Sequence, residues 1–308
     1  MSYVAILGAF ELGLIYALVA LAAYLSFRVL DFPDLTVDGS FATGAALTGA
    51  CISQGVNPWL TTFGALLSGG LCGLITALLN RRFGMLHLLA GILTTIGLFS
   101  IDLRIMGRPN VPLMDSATVF SPLQGMSLGE SEVRVAMVFV FVLVTLATLT
   151  WFLRTEAGLA MRATGANPRM ARANGIHTDG MVYLGLAMSN ALAALGGSLF
   201  TQSAGFADVG VGGGSILFGL AAVILGEAIL PSRRIAFALI ACVFGSILYR
   251  IAVGLALNAQ FLGLRSSDLR LVTALLIAVA FIATNVRRAR RTTPKRKTAT
   301  RPAGGTAS

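Results

Sequence analysis

Acidic residues inside apolar sequence are the first candidates for chemistry, and two short stretches hold three of them. FPDLTVDGS, residues 32–40, carries Asp34, Asp38, Gly39 and Ser40; FADVGVGGGS, residues 206–215, carries Asp208, Gly214 and Ser215. A carboxylate in such surroundings is costly and marks function by default, for example as the titrating site of a coupling ion. The same side chains can instead cap the starts of interrupted helices, as Asp38, Ser40 and Ser215 are placed to do. That capping role is favoured, because a break in a membrane-embedded helix must have its backbone groups satisfied.

Other chemistry is poorly supported. Cys51, Cys72 and Cys242 each stand alone in an apolar run, without the close spacing of a metal or redox pair. His87 and His177 are far apart and offer no metal set. An intramembrane hydrolase needs a nucleophile beside a base, and no Gly-x-Ser-x-Gly motif occurs. A P-loop needs a lysine after a glycine-rich turn, yet the only lysines are Lys295 and Lys297. Glu227 and Arg250 are expected to pair across neighbouring spans, or Glu227 to face Arg233 at a boundary.

The elements that position these groups are membrane spans. The 308-residue chain is 56% hydrophobic and 12% charged, with a mean hydropathy of +0.82, far from the roughly 25% charged residues of a soluble domain. Nine runs approach the roughly 20 residues needed to cross a bilayer: 3–27, 38–54, 59–79, 85–103, 133–153, 181–204, 214–231, 235–257 and 271–286. The first lacks the positive region of a secretory signal and is expected to be retained. The expected fold is all-α and polytopic.

Positive charge orients the spans. With the N-terminus outside and the C-terminus cytoplasmic, 17 of the 23 Lys and Arg residues fall inside, five fall outside and Arg250 lies within a span. Eight of the inner ones crowd residues 287–308, a basic tail expected to be disordered at the inner leaflet. The net charge of +10 belongs mainly to that tail, so nucleic acid is not expected as a partner.

The two acidic stretches also form a repeat. Phe32 matches Phe206, Asp34 matches Asp208, Val37 matches Val211, Gly39-Ser40 match Gly214-Ser215, and Gly44 matches Gly219. One follows the first span and the other the sixth. An odd offset means that the two units run in opposite directions, an inverted repeat with a transport path at its interface. The expected plan is an inverted 4+1+4 arrangement with short broken helices, the repeats covering about 3–103 and 181–286 around a linking span at 133–153.

The longest cytoplasmic loop, 154–180, reads as two short helices. Glu156 to Thr164 forms the first, ended by Gly165; Asn167 caps the second, Pro168 begins it and Gly175 closes it. Such a pair gives either a rigid docking surface or an amphipathic loop on the lipid headgroups, with Arg162, Arg169 and Arg172 facing lipid.

The loop EAGLAMRATGANPRMARANGI, residues 156–176, resembles the coupling loop of ABC-importer permeases of the branched-chain amino acid type. The stretch LDFPDLTVDGSFATGAA, residues 30–46, is similar to the subgroup of proposed tryptophan and tyrosine permeases. The resemblance implies a permease domain over 1–286 in the cytoplasmic (inner) membrane, paired with a second permease copy. It further implies cytoplasmic ATPases that use the ATP, a cofactor this chain would not bind itself, and an extracytoplasmic solute-binding protein. Glu156, Gly158, Arg162, Gly165, Asn167, Pro168, Arg169 and Gly175 would belong to the ATPase-coupling loop, and the solute would be small, an amino acid among the candidates. The competing expectation is an ion-coupled secondary transporter, with Asp34 or Asp208 binding the ion.

Overall fold

The computed structural model describes residues 3–114, 116–121, 129–232 and 234–258, together with residues 275 and 278. Long apolar runs form the helices, and glycine, proline and short polar segments end them. α1 (Tyr3–Ala23) continues into a π-helical segment, Tyr24–Val29. After a turn at Asp31, whose φ of 53° is left-handed, the chain re-enters the bundle as α2 (Thr36–Ser53). α3 (Pro58–Phe83) starts where the Asn57 side chain accepts from the Trp59 N–H with Pro58 in the first helical position. α4 (His87–Met106) is followed by the short strand β1 (Asn110–Pro112) and by α5 (Glu130–Phe152).

The loop after α5 holds α6 (Glu156–Ala166) and α7 (Pro168–Ala173). α8 (Thr178–Ala204) leads through β2 (Phe206–Asp208) to α9 (Ser215–Ile229) and α10 (Ile235–Asn258). These boundaries fall within four residues of the expected spans. The expected span at 271–286 and the basic tail lie outside the described residues, apart from 275 and 278.

Six of the described helices are long and apolar enough to cross a bilayer: α1 with its extension, α3, α4, α5, α8 and α10. α9 is apolar but shorter. α2 is absent from that set because Thr36, Asp38, Ser40, Thr43 and Thr48 interrupt its apolar character. Leu67, Ile96, Val144 and Phe244 are exposed on the outer faces of α3, α4, α5 and α10, as lipid contact requires. The chain is a multi-pass membrane protein.

Within the bundle α8 is the central element and is mostly buried, whereas α5 is largely exposed. It packs on α2 and α3, while α10 packs on α1 and α9. Lipid supplies no hydrophobic drive between helices, so association depends on close backbone approach through small residues. A Cβ at Gly44 would strike the Ala194 backbone, one at Gly69 the Asn190 carbonyl, one at Gly73 the Leu186 carbonyl and one at Gly197 the Phe41 carbonyl. α8 is thereby pressed between two helices with almost no side-chain spacing.

A feature absent from the sequence reading closes one end of the bundle. β1 and β2 pair antiparallel, Asn110 opposite Asp208 and Val111 opposite Ala207, over a small core of Ala46, Ile52, Met106, Val111, Leu113 and Ala207. The C-terminal ends of α4 and α8 therefore emerge on the same side. α6 and α7 lie near the π-helical end of α1.

A side chain at Gly197 should overpack the α2–α8 contact at a cost of about 1–3 kcal/mol. Gly197→Val is expected to lower the melting temperature of the detergent-purified chain by several degrees. Gly97→Val, where no atom lies within 4 Å of the added Cβ, should leave it unchanged; equal effects of the two would refute the packing account.

Candidate functional site

The buried polar groups concentrate where α2 and α9 begin inside the bundle. A helix start leaves N–H groups without intrahelical acceptors, and the two starts solve this differently. At α2, Asp34 Oδ1 accepts from the Thr36 N–H at 2.9 Å. Asp34 Oδ2 accepts from Asn190 Nδ2 on α8 at 2.7 Å, and Asn190 Oδ1 accepts from the Ser40 hydroxyl at 2.7 Å. Asp34, Ser40 and Asn190 are all fully buried.

At α9 the cap comes from the other half of the chain. Asp38, in the first turn of α2, accepts from the Ile216 N–H at 2.7 Å and the Ser215 hydroxyl at 2.8 Å through Oδ1, and from the Gly214 N–H at 3.0 Å through Oδ2. Gly214 permits this turn because its φ is +88°. Two helix N-termini, each with a partial positive charge, thus converge on one carboxylate.

The sequence-marked residues are therefore partly united. Asp38, Gly214 and Ser215 meet directly, and Gly39 lets α2 approach Thr95 and Leu98 of α4. Asp208 stands apart in β2, where it accepts from the Gly210 N–H at 2.8 Å and lies 3.4 Å from Asn110 Nδ2. The loop that follows it returns to the site: a cleft of about 240 Å³ lies between α2, α4 and Val209–Gly213 and includes Asp38 and Asp102 in its lining.

Several buried polar contacts were not foreseen. The Thr36, Thr76 and Thr94 hydroxyls link α2, α3 and α4 at 2.7 and 3.0 Å. Gln202 of α8 joins Thr62 of α3 and accepts from the Val119 N–H. Asn190, Gln202 and Asp102 were detectable as isolated polar residues in long apolar runs. Arg250 does not pair with Glu227: its guanidinium lies 4.1 Å from the Tyr16 ring centre and 5.2 Å from that of Phe218. Glu227 pairs with Arg28 at the end of the π-helical segment, and Arg233, the other expected neighbour of Glu227, lies outside the described residues.

The loop helices are rigidly seated. Thr155 accepts from the Gly158 N–H, Asn167 Oδ1 from the Met170 N–H at 3.0 Å, Pro168 opens α7, and Gly175 adopts φ 81° beyond its end. Gly165 does not stop the first helix, which runs to Ala166. Its missing side chain serves contact instead, since a Cβ there would meet the Val29 carbonyl, and one at Gly158 would meet the Phe152 carbonyl. Met161 is buried and Arg162 half-buried, whereas Glu156, Leu159, Pro168, Arg169 and Met170 are exposed.

Apolar outer faces, a buried polar seam and helix starts inside the bundle define a membrane permease. The chain belongs to the family described as branched-chain amino acid transport system permease components, whose model matches residues 5–286. It is 37% identical over 273 residues to a tyrosine transport system permease protein of Clostridioides difficile, covering 88% of each chain. It is 26% identical over 200 residues to a nucleoside ABC transporter permease protein of Lactococcus lactis, covering 59% of this chain and 60% of that one. Its fold resembles that of an inward-facing ABC transporter described as of metal-chelate type, with a TM-score of 0.52, 14% identity and coverage of 92% and 85%.

Loss of the trans cap should destabilise α9 by about 1–3 kcal/mol for each buried donor left unsatisfied. Asp38→Ala is expected to speed hydrogen exchange at residues 214–218 and lower the melting temperature, with Asp38→Asn intermediate because it keeps one acceptor oxygen. Unchanged exchange in Asp38→Ala would refute the cap.

Proposed function

We propose that this chain is the membrane-spanning permease subunit of an ATP-binding cassette importer that carries an amino acid of the tyrosine class. Family membership supports a permease, and the tyrosine permease of C. difficile, similar over 88% of both chains, supports the solute class. The observation that carries energy coupling is the seating of α6. Through Gly165 and Met161 it lies on Val29, Leu30 and Gly185, so force on the exposed loop reaches the π-helical end of α1 and the re-entrant turn before Asp34.

Helix packing supports the inverted repeat of the expected nine-span plan, whose last span lies outside the described residues. α3 packs on α8 as α10 packs on α1, α2 on α8 as α9 on α1, and α2 on α3 as α9 on α10. Exchanging α1, α2 and α3 with α8, α9 and α10 reproduces these pairs. The clasp of β1 with β2 supports the alternation of sides, since both strands follow helices expected to end outside. In this reading the N-terminus is outside, the loop at 154–180 and the basic tail are cytoplasmic, and the protein sits in the inner membrane.

The partners follow from what the chain lacks and presents. No lysine precedes Lys295, so ATP hydrolysis falls to separate ATPase subunits that dock on the exposed face of α6 and α7. A solute-binding protein delivers the amino acid to the side bearing β1 and β2, and a second permease copy completes the path. Asp34 and Asp208, the candidates for ion coupling, are both held by neutral donors, which favours ATP-driven over ion-driven uptake.

A new negative charge at an exposed docking residue should break coupling without unfolding the bundle. Leu159→Glu or Arg169→Glu is expected to reduce copurification of the ATPase by at least about tenfold, the scale of a lost interface anchor, with membrane insertion normal. Unchanged copurification would remove the loop from the interface. Orientation is tested separately in a Cys51→Ala background with an impermeant maleimide on intact cells. Cysteine at Met114, which is 90% exposed, should label and cysteine at Ser232 should not; the reverse pattern would invert the topology.

A further inference from the structure

The cleft between α2, α4 and Val209–Gly213 is lined in part by a carboxylate with one oxygen that accepts no hydrogen bond among the described residues. Asp102 projects from α4 and is 0% exposed. Its nearest polar partner is the Thr43 hydroxyl, 3.2 Å from Oδ2, but that hydroxyl also lies 3.0 Å from the Gly39 carbonyl and has one proton for both. Asp102 Oδ1 has no hydrogen-bond partner among the described residues, nor does any Arg or Lys form an ion pair with Asp102 there. Buried polar atoms are almost always satisfied, and a carboxylate inside a membrane protein is retained for a functional reason by default.

Among the described residues the shared Thr43 hydroxyl is the one hydrogen-bond donor to this group, and it reaches Oδ2 alone. The other aspartate of the cleft, Asp38, has both oxygens engaged by the start of α9, so it adds negative potential without offering a free acceptor. The Phe99 ring is 49% exposed and forms an apolar wall beside Asp102. The cleft thus combines a carboxylate whose unpaired oxygen is buried just beneath its wall, a second carboxylate and an aromatic face. A cation fits that chemistry: an ammonium can donate one N–H to the unsatisfied oxygen, lie against the aromatic face and keep its other donors toward water in the cleft. The volume of about 240 Å³ is below the roughly 300 Å³ at which drug-sized pockets begin, enough for an amino-acid head group.

We propose that this cleft is a recognition subsite for the ammonium group of the transported solute, with Asp102 Oδ1 as its acceptor. The inference rests on the reading of the chain as an amino-acid permease and adds to it the group by which the membrane subunit distinguishes its solute. Asp102 then selects for a primary amine independently of whatever side chain the solute-binding protein recognises. No covalent step is involved: the ammonium replaces missing donors on the carboxylate and leaves when the bundle changes conformation.

The test uses the full chain in lipid nanodiscs and three probes with the same phenol ring. L-Tyrosine carries ammonium and carboxylate, tyramine carries ammonium alone, and 3-(4-hydroxyphenyl)propanoate carries carboxylate alone. The wild-type chain is expected to bind the first two about tenfold or more tightly than the third, and Asp102→Asn to lose about tenfold to a hundredfold for the amines only. Equal binding of all three probes, no binding of any at millimolar concentration, or an unchanged amine preference in Asp102→Asn overturns the proposal. If Asp102→Asn fails to insert, Asp102→Glu should retain the amine preference, and the wild-type probe comparison still decides. Tyrosine uptake by the complete transporter separates the two readings. Wild-type uptake in Asp102→Asn removes the subsite and leaves the importer, whereas amine preference without tyrosine uptake keeps the subsite and removes the solute assignment.

Discussion

The bundle depends on one carboxylate that ties two helix starts together. Asp38 sits in the first turn of α2 and accepts from the backbone and side chain at the beginning of α9. Hydrocarbon offers no water to satisfy a broken helix, so each interruption needs a protein acceptor. Here the acceptor comes from the opposite repeat, and the positive ends of two helices offset the cost of its charge. Every other polar contact near the site, from Asp34 with Asn190 to Thr36 with Thr76, is arranged around the re-entry that places Asp38 there.

That arrangement is possible only because glycines on α2, α3 and α8 remove spacing side chains where α8 meets its neighbours. Gly44, Gly69, Gly73 and Gly197 bring three backbones into contact, which lets short side chains such as those of Ser40, Thr48 and Ser198 reach one another across helices. Small residues and hydroxyls therefore act together: the first set the distance and the second bond across it. At the other end of α1 the same device recurs, with Gly165 letting the loop helix rest on the Val29 carbonyl.

Much of the fold was legible because hydrocarbon thickness imposes a length and charge imposes a side. The described helices follow the apolar runs closely, and Asn167-Pro168 announced the start of α7 through chemistry that acts within four residues. What was not legible depends on distant pairing. The phenylalanine-and-aspartate repeat was visible, but nothing in it indicates that Asp38 serves α9 while Asp34 serves α2. Gly165 read as a stop, since a glycine needed for close approach looks the same in sequence as one needed for a left-handed turn. The strands β1 and β2 are three residues each and separated by the middle of the chain, too short for periodicity to register. Asp102 was passed over because its importance lies in the partner it lacks.

The trans cap has a consequence for biogenesis. Asp38 reaches the membrane 176 residues before Gly214 exists, and during that interval an aspartate at the start of a short helix must be held in lipid without its acceptor role fulfilled. An acid within a membrane-embedded segment is costly, so α2 is less favourably placed in the bilayer before the α9 donors exist. Stable seating of α2 in the bundle therefore depends on a segment that is synthesised later in the same chain.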